Sequence, residues 1–209
     1  MSRLWDISPR LTSGIGVWPG DTPLSREVLA DLRAGANLTL SSLHATVHLG
    51  AHVDAPGHTA LDGAGIGDLA LDAFVGPCQV VHVDVGRDER VVPAHLAGRA
   101  VEAPRVLVRT ATFPDPYRFT TDFAALSAEL VEHVADAGVV LVGIDTPSVD
   151  LFSSKDLPAH GACVRRGVVN LEGIVLDHVP EGVYELIALP LPLAGFDASP
   201  VRAVLRELP

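Results

Sequence analysis

The chain has 209 residues, of which 48% are hydrophobic, and its formal net charge is −11. This size and composition predict one domain, 1–209, with a substantial core. An acidic chain without a Lys/Arg cluster is not expected to bind nucleic acid or an anionic membrane. Two distant cysteines, Cys78 and Cys163, predict no disulfide framework. With no signal-like or membrane-spanning apolar run, we expect a cytoplasmic protein.

Strand patterns dominate the first half of the chain. Segments 24–32 and 38–48 alternate apolar and polar residues around a turn at 35–37, which predicts an antiparallel pair. Segment 59–68 contains three glycines and is predicted to be a loop. Continuous apolar runs predict strands over 78–85 and 105–110.

One clear helix is predicted, over 122–137, where apolar residues recur at helical spacing before Gly138. Strands are predicted over 139–144, 174–176 and 184–191, and Ser199-Pro200 predicts the start of a short final helix. Strands outnumber helices, and at least one strand-helix-strand unit is present. The sequence therefore predicts an α/β fold with a curled mixed β-sheet and few helices.

A histidine-rich run over 48–58 carries the strongest functional pattern. Positions 47, 49, 51, 53 and 55 are apolar, whereas His48, Gly50, His52 and Asp54 occupy the alternate positions. In an extended segment the polar set faces one shared space. His48 and His52 would nevertheless lie roughly 13 Å apart on a straight strand, too far to share one ion. We therefore expect a bend at Gly50, which also leaves room for the ion.

Pro56 and Gly57 are expected to end this strand and return His58 toward the same space. The alternative is a row of solvated or mutually hydrogen-bonded histidines. Three His and Asp ligands with an open position would suit a catalytic metal ion.

Further ligands must come from elsewhere in the chain. Asp145 follows the apolar run 139–144, and the end of a strand is a common place for a site, although Asp145 can equally cap a turn. His160 lies in the predicted loop beyond, and Glu172 precedes the apolar 174–176. From spacing alone, both are weak candidates.

The run HLGAHVDAPGH at 48–58 resembles the HxGTHxDxPxH signature of the cyclase-like metal-dependent hydrolases, with Ala51 in place of Thr. Flanking blocks resemble the bacterial kynurenine formamidase (arylformamidase) branch of that family, and with the motif they cover nearly the whole chain. These blocks are LWDIS at 4–8, VWPGDTP at 17–23, GIDTPS at 143–148, LEGIVL at 171–176, YELIALPL at 184–191 and DASPVRAVLR at 197–206.

The resemblance implies a cyclase-like (swivelling β/β/α) fold and a homodimer. It also implies two metal ions per subunit, usually Zn²⁺, with Mn²⁺ as a possible substitute. The positions that match the first group of ligands are His48, His52 and Asp54, with Asp54 bridging. The positions that match ligands of the second ion are His160 and Glu172.

The same resemblance implies hydrolysis of N-formyl-L-kynurenine to L-kynurenine and formate, a step of tryptophan degradation by the kynurenine pathway. His58 matches the catalytic acid/base, and Trp18 matches a residue that lines the substrate pocket. From the residues alone, Trp18 can equally be an aromatic of the core or of a dimer interface.

The sequence also bears on four other functions. A hydrolase of the same family acting on isatin or a cyclic imide would share the metal site and differ only in its pocket. A serine formamidase would need a G-x-S-x-G elbow, which the sequence lacks. Segment 63–68 lacks the third glycine of a dinucleotide site. A noncatalytic, metal-stabilised binding protein stays open, and a metal site closed to water would favour it.

Overall fold

A computed structural model describes residues 2–208 of the chain. Within this range the secondary structure comprises thirteen strands, two α-helices and several short 3₁₀ turns. The helices are α1 (Ala128–Asp136) and α2 (Pro158–Arg166). The strands are β1 (Leu4–Asp6), β2 (Ser25–Ala30), β3 (Leu40–His44), β4 (His52–Asp54), β5 (Val75–His82), β6 (Arg90–Val91), β7 (Arg105–Arg109), β8 (Ala125–Leu126), β9 (Leu141–Ile144), β10 (Val169–Glu172), β11 (Gly182–Ile187), β12 (Ala198–Pro200) and β13 (Val204–Glu207).

Nine of these strands form one sheet in the order β1-β13-β11-β5-β7-β9-β10-β4-β12. The central strands β5, β7, β9 and β10 are parallel, and every other pairing in the sheet is antiparallel. Parallel strands are usually covered on both faces, which fits the continuous apolar runs of β7 and β9. The predicted mixed sheet with few helices is confirmed.

Each face of the sheet packs against its own hydrophobic core. On β7, Val106 and Val108 pack on the side of α1 and α2, whereas Leu107 packs on the opposite side. That opposite core joins Trp5 of β1 to Val53 of β4, although these strands lie near opposite ends of the sheet. The sheet therefore curls around this core, as predicted.

Helix α1 begins six residues later than the predicted helix over 122–137. The Ser127 side chain accepts a hydrogen bond from Leu130 N at 3.0 Å and caps the helix. Just before it, Ala125 and Leu126 form β8, which pairs with β6. The prediction was wrong over 122–127, because tertiary pairing overrides a helical pattern of apolar residues.

Two further predictions near the site were wrong. Segment 174–176 is not a strand, because β10 ends at Glu172 and Gly173 turns the chain with φ +65°. His160, predicted in a loop, lies in α2, which begins with Pro158 at its first position. The sequence of α2 does not predict a helix clearly, because it contains Gly161 and few large apolar residues.

The predicted C-terminal helix was also wrong, since this segment forms β12 and β13. Strand β12 pairs with β4, and β13 lies between β1 and β11. Ala203 and Leu205 are buried while Arg206 is exposed, a period-two pattern that suits a strand. Ser199, read as a helix cap, is itself buried in the sheet and accepts a hydrogen bond from Leu191 N.

The predicted antiparallel pair is confirmed as β2 and β3, which form a hairpin outside the main sheet. Nearly all of its residues are exposed. Within residues 2–208, neither helix is long and apolar enough to cross a membrane.

Candidate metal centre and substrate cavity

The chain bends at Gly50, between His48 and His52, where the alternating pattern over 47–55 predicted a bend. Gly50 has φ +59°, and the bend places the rings of His48 and His52 with centroids 5.0 Å apart. The Gly50 carbonyl accepts a hydrogen bond from Nδ1 of His52 at 2.9 Å, so Nε2 is the nitrogen that faces the centre. The bend predicted from the sequence is confirmed.

Strand β10 brings Glu172 to this point, because its register places Glu172 opposite His52 on β4. Nε2 of His52 lies 3.3 Å from Oε2 of Glu172. Asn170, two residues earlier on the same face of β10, donates to Oδ2 of Asp54 at 2.7 Å and to Oε1 of Glu172 at 3.0 Å. A neutral amide thus holds the two buried carboxylates together.

Helix α2 delivers His160 from the opposite side. Nε2 of His160 lies 3.4 Å from both Oδ2 of Asp54 and Oε1 of Glu172, outside hydrogen-bond geometry. Its Nδ1 instead donates to Asp150 at 2.8 Å. Asp150 also accepts the backbone N–H groups of Ala159 and His160, so it caps the helix and orients the imidazole together.

His58 returns to the same space in a 3₁₀ turn that begins at Pro56. Its ring centroid lies 4.4 Å from that of His48 and 5.7 Å from that of His160. Asp197, immediately before β12, joins them through Oδ2, which lies 2.9 Å from Nε2 of His48 and 3.3 Å from Nδ1 of His58. The structure therefore brings all three histidines of the motif together.

The pKa values of the cluster reflect the carboxylates that face its histidines. Burial by itself lowers the pKa of His160, but Asp150, Asp54 and Glu172 outweigh it and raise the pKa to about 12. Burial likewise lowers the pKa of His48, and Asp54 with Asp197 raises it to about 9. For Glu172, burial raises the pKa, yet His160 and His52 bring it down to about 2. The carboxylates of the centre therefore favour positive charge on its imidazole side, whether from protons or from a bound cation.

These residues fit a divalent metal ion. Two buried atoms, Oδ1 of Asp54 and Nε2 of His160, have no hydrogen-bond partner within the described residues. Such orphaned atoms in a native structure need an explanation, and a role as metal ligands would supply one. The ligand atoms of His48, His52 and Asp54 converge within 4.8 Å, as do those of Asp54, His58 and His160. Imidazole and carboxylate are the ligands that suit zinc and neighbouring metals.

A cavity of about 550 Å³ opens in front of this cluster. The residues that line it include His48, His58 and Glu172 of the cluster and the aromatic side chain of Trp18. Trp18 packs on Phe152 at 4.8 Å between ring centroids, and on Phe119 at 5.7 Å. Trp18 therefore lines the cavity and also belongs to a packed aromatic cluster. It has features of both roles that the sequence left open, a pocket-lining residue and a core aromatic.

Asp145 lines the same cavity, and its role becomes clear from its contacts. It accepts hydrogen bonds from Thr110 N, Thr110 Oγ1 and Ala111 N at 2.9, 2.7 and 2.8 Å. Ala111 has the unusual φ of +56°. Asp145 therefore caps the turn after β7 and does not join the convergent groups of ligand atoms.

Sequence reasoning missed three residues of the centre: Asp150, Asn170 and Asp197. Asn170 had a signal, since it alternates with Glu172 along one strand face. Asp150 had none, and Asp197 had only its place in the resembling block 197–206, because isolated aspartates are common in loops.

Comparison with known proteins identifies the family. Residues 5–151 match the family described as "Putative cyclase". The chain belongs to the cyclase family. Within it, the chain is 49% identical over 207 residues to the kynurenine formamidase of Delftia acidovorans, covering 99% of this chain and 98% of that one. It is 47% identical over 209 residues to the kynurenine formamidase of Bordetella pertussis, covering the whole of both chains.

Solved structures agree with this membership of the cyclase family. A potential metal-dependent hydrolase with cyclase activity superimposes with a TM-score of 0.87 at 26% identity, over all of both chains. Isatin hydrolase A from Labrenzia aggregata superimposes with a TM-score of 0.82 at 22% identity, over 99% of this chain and 94% of that one. At that identity the second likeness shows the shared fold alone.

Proposed function

We propose that this protein hydrolyses N-formyl-L-kynurenine to L-kynurenine and formate, as a metal-dependent amide hydrolase of tryptophan degradation. The observation that carries the proposal is the near full-length identity of 47–49% to kynurenine formamidases. The cluster of histidines and carboxylates beneath an aromatic-walled cavity supports it, because it offers a metal centre that remains open to a substrate.

The metal ligands in this proposal are His48, His52, Asp54, His160 and Glu172. We infer that these residues would hold two Zn²⁺ ions per chain, or Mn²⁺ in their place, and that Asp54 would contribute to both sites. Asp54 suits the bridging role because its two oxygens face different histidines: Oδ1 lies 3.0 Å from Nδ1 of His48, and Oδ2 lies 3.4 Å from Nε2 of His160. When bound, such an ion supplies Lewis acidity, which promotes ionisation of water and stabilises negative charge on the formyl oxygen.

The chain's own residues perform the remaining tasks. The aromatic wall around Trp18 receives the aryl ring of the substrate and excludes water from the reacting bond. The leaving arylamine must gain a proton as the C–N bond breaks. His58 is the most exposed histidine of the cluster and faces the cavity, so it is placed to transfer that proton.

We also propose that the protein acts in the cytoplasm as a homodimer. The exposed hairpin of β2 and β3 supports the dimer, because an isolated two-stranded hairpin is marginally stable in water. Large apolar side chains are exposed along it: Val28, Leu29, Leu32, Leu38, Leu40 and Leu43. A second copy of the chain would cover these side chains.

A direct comparison of substrates tests the function. Values of kcat/KM are measured for N-formylkynurenine, isatin and a cyclic imide, before and after chelation and with zinc restored. We expect N-formylkynurenine to be preferred by at least about tenfold, a difference of roughly 1.4 kcal/mol in transition-state binding. Chelation should abolish the activity and zinc should restore it.

A tenfold preference for isatin or the imide would refute the formamidase assignment and leave a metal hydrolase. Full activity of protein without stoichiometric metal would refute the metal-dependent mechanism. Tight zinc binding with no hydrolysis of any of the three substrates would favour a noncatalytic binding protein.

A further inference from the structure

Asp197 makes contacts that its place in the sequence does not explain. Its Oδ2 faces two imidazoles, Nε2 of His48 and Nδ1 of His58. The structure therefore joins a candidate metal ligand and the candidate acid through one carboxylate oxygen, 139 residues beyond His58 in the chain. Neither Asp54 nor Glu172, the two acids among the proposed metal ligands, has a hydrogen bond to His58 within the described residues.

The backbone of Asp197 is fixed, although its side chain is 45% exposed. Its carbonyl accepts the N–H of Ala55 at 2.8 Å, and the carbonyl of Phe196 accepts the N–H of Ile66 at 2.8 Å. The next residue, Ala198, is buried and pairs with Asp54 at the edge of the sheet. Sheet pairing on one side and a 3₁₀ turn on the other thus hold the carboxylate where the two rings meet.

The contact with His58 determines which ring nitrogen is free. An ionised carboxylate only accepts hydrogen bonds, so Nδ1 of His58 carries the hydrogen that points to Asp197. Nε2 then remains available, and it has no hydrogen-bond partner within residues 2–208. An imidazole held at Nδ1 has one orientation rather than a choice of rotamers, and correct orientation is a large part of proton-transfer efficiency.

We propose that Asp197 is the positioning residue that holds His58 with Nε2 directed at the leaving amine, an inference that rests on the function proposed above. In that step the C–N bond breaks, its electron pair goes to the nitrogen, and the nitrogen takes the Nε2 proton of His58. Water supplies the new oxygen of formate. One proton of that water replaces the one that His58 gives up, and the other is released.

Leaving-group dependence tests this inference. The arylamine of N-formylkynurenine needs the proton, whereas the nitrophenolate of p-nitrophenyl formate leaves as a stable anion. We expect Asp197→Ala to reduce kcat for the formamide by about tenfold or more and to change hydrolysis of the ester by less than about threefold. Asp197→Asn keeps an acceptor oxygen and should recover most of the formamide activity. With zinc in excess, elemental analysis should find full occupancy in both variants, because Asp197 is the hydrogen-bond partner of a proposed ligand, His48, and not a proposed ligand itself.

A double-mutant cycle makes the test specific to His58. If Asp197 acts through His58, Asp197→Ala should cause no further loss in a His58→Ala background. The matched control is Asp177→Ala, which removes an aspartate of equal exposure, 44%, from an ion pair with Arg109 outside the centre. This control should leave both activities unchanged.

Three results would overturn the inference: equal losses for amide and ester, an added loss in the His58→Ala background, or loss of zinc from Asp197→Ala when zinc is in excess. The last would make Asp197 a metal ligand, since its oxygen also converges with His48 and His58. A wild-type protein that hydrolyses the ester but not N-formylkynurenine would instead refute the proposed function itself.

Discussion

Asp150 is fully buried and accepts hydrogen bonds from Arg90 Nη1, Ala159 N, His160 N and His160 Nδ1. Because Nδ1 of His160 donates to Asp150, the lone pair of Nε2 is left for the metal centre. Arg90 balances the buried charge of Asp150, and the pKa of this carboxyl lies below its usual range because hydrogen bonds from His160 and Arg90 outweigh the effect of burial.

We predict that Asp150→Asn weakens zinc binding by about 10- to 100-fold, the usual effect of losing the partner of a ligating histidine. Competition with a chromophoric chelator measures the affinity without any substrate. Asp156→Asn is the control, since Asp156 is exposed and, within residues 2–208, accepts a side-chain hydrogen bond from Ser154 alone. Equal affinities of the two variants would show that Asp150 does not orient His160.

The contribution of the Trp18 side chain to substrate binding can also be measured with single substitutions. We predict that Trp18→Ala raises KM for N-formylkynurenine by about two- to tenfold, because aromatic stacking adds about 0.5–1.5 kcal/mol beyond buried area. Zinc content should not change. Trp18→Phe keeps a ring in the cluster with Phe119 and Phe152 and should behave nearly as wild type. An unchanged KM in Trp18→Ala would place the substrate ring elsewhere in the cavity.

At the scale of elements, the turn after β10 packs tightly against the bend before β4. A Cβ on Gly173 would lie 2.2 Å from the carbonyl oxygen of Gly50, the same oxygen that accepts from Nδ1 of His52. Two glycines with positive φ, Gly50 and Gly173, therefore allow two chain segments to meet at the metal centre.

Gly173→Ala should destabilise the fold and weaken zinc binding together, because the displaced Gly50 carbonyl no longer orients His52. Gly138→Ala is the matched control, with φ +89° and open space around the added methyl. The control should lose about 1–2 kcal/mol of unfolding free energy, the effect of a left-handed backbone alone, with no change in zinc affinity. Urea unfolding and zinc titration measure both. Equal destabilisation of the two variants would contradict the close-contact argument.

At the scale of the molecule, the hairpin of β2 and β3 has too little buried surface to be stable by itself. We predict a dimer by light scattering, and a shift toward monomer in Leu43→Glu, since Leu43 is 73% exposed and a buried unpaired charge disfavours an interface. Leu61→Glu is the control, because Leu61 is fully exposed and lies outside the hairpin, and it should have the smaller effect. A wild-type monomer at micromolar concentration would refute the proposed dimer.

The central histidines were predictable because their arrangement is local. Alternation over 47–55, a glycine at the bend and a Pro-Gly turn lie within a dozen residues, so the sequence alone determines that His48, His52, Asp54 and His58 share one space. The mixed sheet was predictable for a related reason, since strand periodicity and apolar runs are properties of short segments.

The C-terminal strands and the hydrogen bonds of Asp150 and Asp197 were determined by the tertiary structure and not by local sequence. Segment 198–207 forms strands rather than the predicted helix because β4, β1 and β11 offer it hydrogen-bonding partners, and local propensity is weak beside such pairing. The same pairing places Asp197 beside His48 and His58, and the first turn of α2 places Asp150 on His160. These contacts join residues that are far apart in the sequence, so no local sequence pattern predicts them. The folded structure alone brings the residues within hydrogen-bonding distance.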